Sequence, residues 1–103
     1  MTNEQIKTES LRALIRIAKD KELKYTQKYI AWIMWVDQVT VINFLKKGYK
    51  PHNLTQMRDS LEEFLLSQVR KKKQEHIDAM DRIEKNIRAW SIEVLKNSLD
   101  VKD

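Results

Sequence analysis

The chain has 103 residues, with 20 Lys or Arg against 15 Asp or Glu, a net charge of +5, one Gly, one Pro and no Cys. That bounds it to one small domain, or a small domain with an appendage, and excludes a disulfide framework, thiolate chemistry and a glycine-rich phosphate loop. The charge is uneven: residues 1–58 carry 11 Lys or Arg against 5 Asp or Glu, and residues 59–103 carry 9 against 10.

The first helix is expected over about residues 3–21. Leu11, Leu14, Ile15 and Ala18 follow the i, i+3, i+4, i+7 spacing of one buried face, with Ile6 a turn earlier. Leu23 and Tyr25 should tuck a short connector against the core. Thr26 is an N-cap for a second helix that runs to about Met34. Ile30, Ala31 and Met34 mark its inward face. A tight turn follows around residues 35–37, and Asp37 suits the positive end of a third helix that runs to about Lys47. Val36, Val41, Phe44 and Leu45 carry the apolar face onward. Gly48 falls where a left-handed C-terminal residue is commonly needed, and residues 49–52 form a loop. Asn53, with Gln56 three residues on, opens a fourth helix whose buried stripe is Leu54, Met57, Leu61, Phe64 and Leu65.

Thr26-Gln27 opening a helix, then Ile30-Ala31, a turn, Thr40-Val41, and Phe44-Leu45-Lys46 before Gly48 resemble the lambda-repressor-like helix–turn–helix superfamily of phage Cro and repressor proteins. The resemblance covers roughly residues 8–66. It implies an all-α fold with a four-helix helix–turn–helix domain over residues 1–68, to which the apolar spacing beyond it adds a long C-terminal amphipathic helix within residues 69–103. It also implies a small phage or prophage regulator whose third helix lies in the major groove of double-stranded DNA. Carried over by position, Gln38, Val39, Thr40, Ile42 and Asn43 would face base edges. Gln and Asn can pair with adenine, and Val or Ile can touch a thymine methyl. Gln27 would hold a phosphate, with Lys28, Lys46, Lys47 and Lys50 supplying further phosphate contacts. The plainer reading of Gln38 and Asn43 is a solvated helix surface.

Two features depart from the pattern. The family usually has Gly in the turn, at a residue with positive φ, and here that residue is Trp35. Trp32, Ile33, Trp35, Val39 and Ile42 also stand where polar residues are usual. They are either extra core, covered by the C-terminal helix or a second subunit, or a protein-binding patch centred on Trp32, Ile33 and Trp35.

Residues 70–73, Arg-Lys-Lys-Lys, are the densest charge run and read as a solvated helix face or a phosphate contact. Beyond them, His76, Met80, Ile83, Ile87, Trp90 and Val94 are spaced 4, 3, 4, 3, 4, the seam of a coiled coil over about residues 74–99. That helix would make a homodimer, with charges from Glu75 to Arg88 setting register, or fold back on its own domain.

His52 and His76 have no ligand spacing between them, so neither a metal nor another cofactor is expected, and no constellation suggests an enzyme. No apolar run reaches the ~20 residues of a membrane helix, and the first residues show no secretory signal, so a cytoplasmic protein is expected. Two functions compete. One is a dimeric sequence-specific DNA-binding regulator. The other is a protein-interaction module, such as an antirepressor or an inhibitor of a host protein, that uses the Trp-rich surface.

Overall fold

The computed structural model describes residues 2–47 and 51–98, apart from the side chains of Lys47 and Ser98. All regular structure among them is helical: α1 (Asn3–Ala18), α2 (Gln27–Ile33), α3 (Gln38–Lys47), α4 (Leu54–Lys72), α5 (Ile77–Ala89) and α6 (Ile92–Ser98). None of these helices is long and apolar enough to cross a membrane. The expectations for Gly48, Tyr49 and Lys50 lie outside the described residues.

Each early boundary has a local cause. At α1, the Thr2 hydroxyl accepts from the Gln5 N–H at 3.2 Å and the Gln5 side chain accepts from the Thr2 N–H at 2.8 Å, a reciprocal capping box. α1 ends at Ala18, short of Lys21, and a turn closes with Lys24 at φ 58°. Leu23 is buried and Tyr25 packs against the core, as expected. Thr26 caps α2 by accepting from the Tyr29 N–H at 3.2 Å. Asn53 stands at the N-cap of α4, but its side chain donates to Gln56 Oε1 at 3.2 Å and makes no cap bond to the backbone. α4 outruns its expected end because Leu65 and Val69 prolong the buried stripe to Lys72.

α1 packs on α4, α4 on α5, and α2 on α3. One core cluster joins them. It includes Leu11, Leu14 and Ile15 of α1, Ile30 and Ala31 of α2, Val41 and Phe44 of α3, Met57, Leu61, Leu65 and Val69 of α4, and Met80, Ile83 and Ile87 of α5.

The single long C-terminal helix is not what forms. The chain turns over residues 73–76, and a second break separates α5 from α6. Trp90 donates its N–H to Ile87 O at 3.1 Å, and Ser91 donates to Arg88 O at 3.1 Å, which tightens the last turn. The Trp90 carbonyl then accepts from the Ser10 hydroxyl. Ser91 Oγ accepts from the Val94 N–H at 3.3 Å and starts α6. Met80, Ile83 and Ile87 are therefore buried within their own chain, whereas Trp90 is half-buried and Val94 is 42% exposed. His76, expected on the apolar stripe, is exposed at the N-cap of α5 and makes no side-chain cap bond.

A polar node holds this arrangement. Arg58 and Ser10 are both buried, and Arg58 donates to Ser10 Oγ at 3.3 Å. The same guanidinium pairs with Glu62 and, at 2.5 Å, with Asp59. A buried charge needs such partners, because stripping its water is otherwise costly. The node joins α1, α4 and the α5–α6 junction.

Charges expected to set register between two copies set it within one. Lys73 bridges Glu84 at 2.5 Å and Asp81 at 3.2 Å, and Arg88 joins Glu84 at 3.1 Å. Arg82 reaches Asp20 at 3.5 Å. The hydrogen bond from Lys73 holds the Glu84 carboxyl below its ordinary pKa, and the same bond raises that of Lys73. For Asp20 the chief cause of a lowered value is the backbone N–H of Glu22. Exposed pairs of this kind contribute little stability, so their use is to fix how α5 lies.

Burial of α5 gives a direct test. Ile83→Ala should lower the free energy of urea unfolding by about 2–4 kcal/mol, while Ile77→Ala, at an exposed position, should change it by under about 0.5 kcal/mol. A loss at Ile83 no larger than that at Ile77 would mean that α5 is not part of the core.

Candidate functional site

α2 and α3 are joined by a turn of defined chemistry. α2 ends at Ile33, Met34 is its C-cap with φ −87° and ψ 1°, and Trp35 takes φ 62°. The Val36 N–H donates to Ala31 O at 3.1 Å, and the Trp35 N–H donates to Trp32 O at 3.2 Å. These are the two bonds of a Schellman C-cap, whose left-handed residue is usually Gly. Here an indole-bearing residue occupies that position. The Asp37 carbonyl accepts from the Thr40 N–H at 3.0 Å and the Val41 N–H at 3.4 Å, so α3 starts directly after the turn.

α3 is held by Val41 and Phe44, both buried. The Arg12 guanidinium lies 5.5 Å from the centroid of the Phe44 ring. Of the residues expected to read bases, Gln38 and Val39 are exposed, and Thr40, Ile42 and Asn43 are half-buried. Positions 39, 42, 43 and 46 fall on the side of α3 turned from Val41 and Phe44, as the helical repeat requires, and Gln38 is exposed at the first position of the helix. Of the expected phosphate contacts, Lys28 and Lys46 are exposed. Gln27 is half-buried, with its Oε1 accepting from Lys19 Nζ at 2.8 Å. The side chain of Lys47 and all of Lys50 lie outside the described residues.

The expected apolar patch divides. Ile33 is buried at 7% and belongs to the core, because it follows Ile30 by one turn on the inward face. Trp32 is 69% exposed, Trp35 84% and Val39 63%. Among the described residues, α5 and α6 do not cover them, since α5 packs on α4 and α1 and α6 packs on α1.

An aromatic row prolongs this surface. Tyr25 and Tyr29 stack with centroids 5.3 Å apart, and Tyr29 meets Trp32 at 5.6 Å. Phe64 of α4 stands edge-on to Tyr25 at 5.4 Å and lies 5.9 Å from Tyr29. Lys72 lies over the Tyr25 ring at 5.6 Å. Partial burial, then the neighbouring Tyr29, raises the Tyr25 phenol above its ordinary pKa. The parts played by Tyr29 and Phe64 were missed in the sequence, although Tyr25, Tyr29 and Trp32 are spaced i, i+4, i+7.

Between the turn, the start of α3 and α4 lies an open cleft of about 870 Å³. Trp32, Trp35, Val36 and Phe64 form apolar wall, and Asp37, His52 and Glu63 are its ionisable lining residues. Among the described residues, no three His, Cys, Asp or Glu side chains are grouped to hold a metal ion. No protein-family model, curated protein or solved structure matches the chain.

The turn makes its own prediction. A left-handed residue with a Cβ costs roughly 1–2 kcal/mol, and an indole 84% exposed contributes little burial in return. Trp35→Gly should therefore raise thermal stability by about 1 kcal/mol, whereas Trp35→Ala, which keeps the Cβ, should not. A Gly variant less stable than the Ala variant would show that the indole itself holds the turn.

Proposed function

We propose that the chain is a small sequence-specific reader of double-stranded DNA, a regulator of the phage-repressor type, with α2 and α3 as its helix–turn–helix. The observation that carries this reading is the outward side of α3, where Val39, Ile42, Asn43 and Lys46 face away from the core residues Val41 and Phe44, with Gln38 exposed at its start. The left-handed residue of the turn supports it, since the family places its turn glycine there. α3 would enter the major groove, with Gln38 and Asn43 bonding adenine edges and Val39 and Ile42 against thymine methyls. Thr40 would serve the base edges from the first turn. Gln27 would hold a phosphate through its Nε2, since its Oε1 already accepts from Lys19. Lys28 and Lys46, with Lys47 and Lys50, would add the salt-dependent part of the affinity. As a homodimer the protein would read two half-sites, and its contacts would use surfaces other than the α5 stripe buried at home.

Titration of duplexes against the protein at several salt concentrations tests this. Affinity should fall steeply with salt, and Lys46→Ala should weaken all sequences alike and reduce the salt slope by about 1. Asn43→Ala should instead cost about 1–3 kcal/mol of discrimination at one base pair. Lack of binding to any duplex at low salt would overturn the reading.

A second reading rests on the exposure of Trp32 and Trp35, large indoles that the fold leaves uncovered. There the same scaffold docks a protein, as an antirepressor or an inhibitor of a host protein would. In a Trp90→Phe background, acrylamide should quench the two indoles equally with and without saturating duplex. Protection by duplex would assign them to the DNA face and end this second reading.

A further inference from the structure

We propose that the cleft beside Trp35 is a recognition site for an arginine side chain on a peptide segment of a partner protein. This rests on the second reading for the presence of a partner and adds its chemistry. The chain carries 20 Lys or Arg, yet among the described residues none of them lines the cleft. Its ionisable lining residues are Asp37, Glu63 and His52. Among the described residues neither Asp37 nor Glu63 is in an ion pair, although Asp59, Glu62, Asp81 and Glu84 all are. The cleft is thus an acidic place on a basic chain.

Its apolar walls narrow the choice of cation. Trp32, Trp35 and Phe64 line the same cleft as the two carboxylates. A cation is drawn to an aromatic face by the ring quadrupole, most strongly to indole. Guanidinium adds a flat surface that stacks on the ring and a fork of donors that matches a carboxylate, which an ammonium lacks. A phosphate carries the wrong charge for this lining, so the cleft is not an extension of a DNA site. Asp37 comes from the start of α3 and Glu63 from α4. An arginine between them would engage both elements.

The test uses the indole N–H signals of Trp32, Trp35 and Trp90 in the full chain, observed by nuclear magnetic resonance. The probes are N-acetyl-Ala-Arg-Ala-amide and the same peptide with citrulline, which keeps the shape and removes the charge. The arginine peptide should shift Trp32 and Trp35 saturably and leave Trp90 in place, and the citrulline peptide should bind at least about fivefold more weakly. The double variant Asp37→Asn, Glu63→Gln should lose a similar factor while its unliganded indole signals stay dispersed. Equal binding of both peptides, or by the double variant, would overturn arginine recognition yet leave a docking cleft. No shift at peptide concentrations on the order of 10 mM would overturn the site itself. Movement of Trp32 and Trp35 with protein concentration alone would show a second copy in the cleft and overturn the proposal equally. Failure of the docking reading is distinct from all of these, because it appears as protection of the indoles by duplex.

Discussion

Everything on the α2–α3 side depends on the left-handed backbone at Trp35. The two Schellman bonds, from Val36 to Ala31 and from Trp35 to Trp32, end α2 within one residue and return the chain at once. That lets Val41 and Phe44 of α3 reach the same core as Ile30 and Met34. A looser connection would leave α3 tied to the core by its own few apolar residues. The strain of roughly 1–2 kcal/mol is small beside the burial of two apolar helix faces, so the helices hold the turn in place. Ala31 contributes by being small: its carbonyl receives the Val36 N–H where the chain passes closest to the helix end.

A comparable constraint works at the other end of the chain. A stripe spaced 4, 3, 4, 3 serves equally as a coiled-coil seam and as the packed face of a short helix. What decides here is the polar node rather than the stripe. Ser10 takes the Trp90 carbonyl, Arg58 takes Ser10, and Ser91 caps a new helix in a different direction. Lys73 and Asp20 then claim the charges of α5. Once those partners lie within the chain, Met80, Ile83 and Ile87 follow them inward. Asp81, Arg82, Glu84 and Arg88 of α5 are thereby engaged within the chain.

The sequence makes the first four helices legible because their signals are local. Thr26 caps where its hydroxyl can reach Tyr29, and the apolar spacing of α1 and α4 marks their inner faces. Two equally local signals are the Thr2–Gln5 box, which starts α1, and the Ser91 cap, which separates α6 from α5. The helical repeat from Ile30 likewise places Ile33 inside. The end of α4 is harder, since the charges at 70–73 mask a stripe that Leu65 and Val69 continue. The exposure of Trp32 and Trp35 is of another kind. An apolar side chain is equally suited to being covered, and only the docking of α5 elsewhere decides. The cleft is also beyond local reading, because Asp37 and Glu63 line it together only through the packing of α2 on both α3 and α4.

The two surfaces meet at the first turn of α3. Asp37 and Thr40 line the cleft, while Gln38 and Val39, between them in sequence, stand on the outer side. Any occupant of the cleft would bear on the same turn of helix that a duplex would engage from the other side. Two ligands that share one structural element are thermodynamically linked, and the linkage is reciprocal. Whether it favours joint or exclusive binding depends on how the occupant sets Trp35, since its left-handed backbone fixes where α3 begins. A glycine there would ease the backbone and remove the indole. The residue that the fold could most readily do without for stability is thus the one placed to connect the two surfaces.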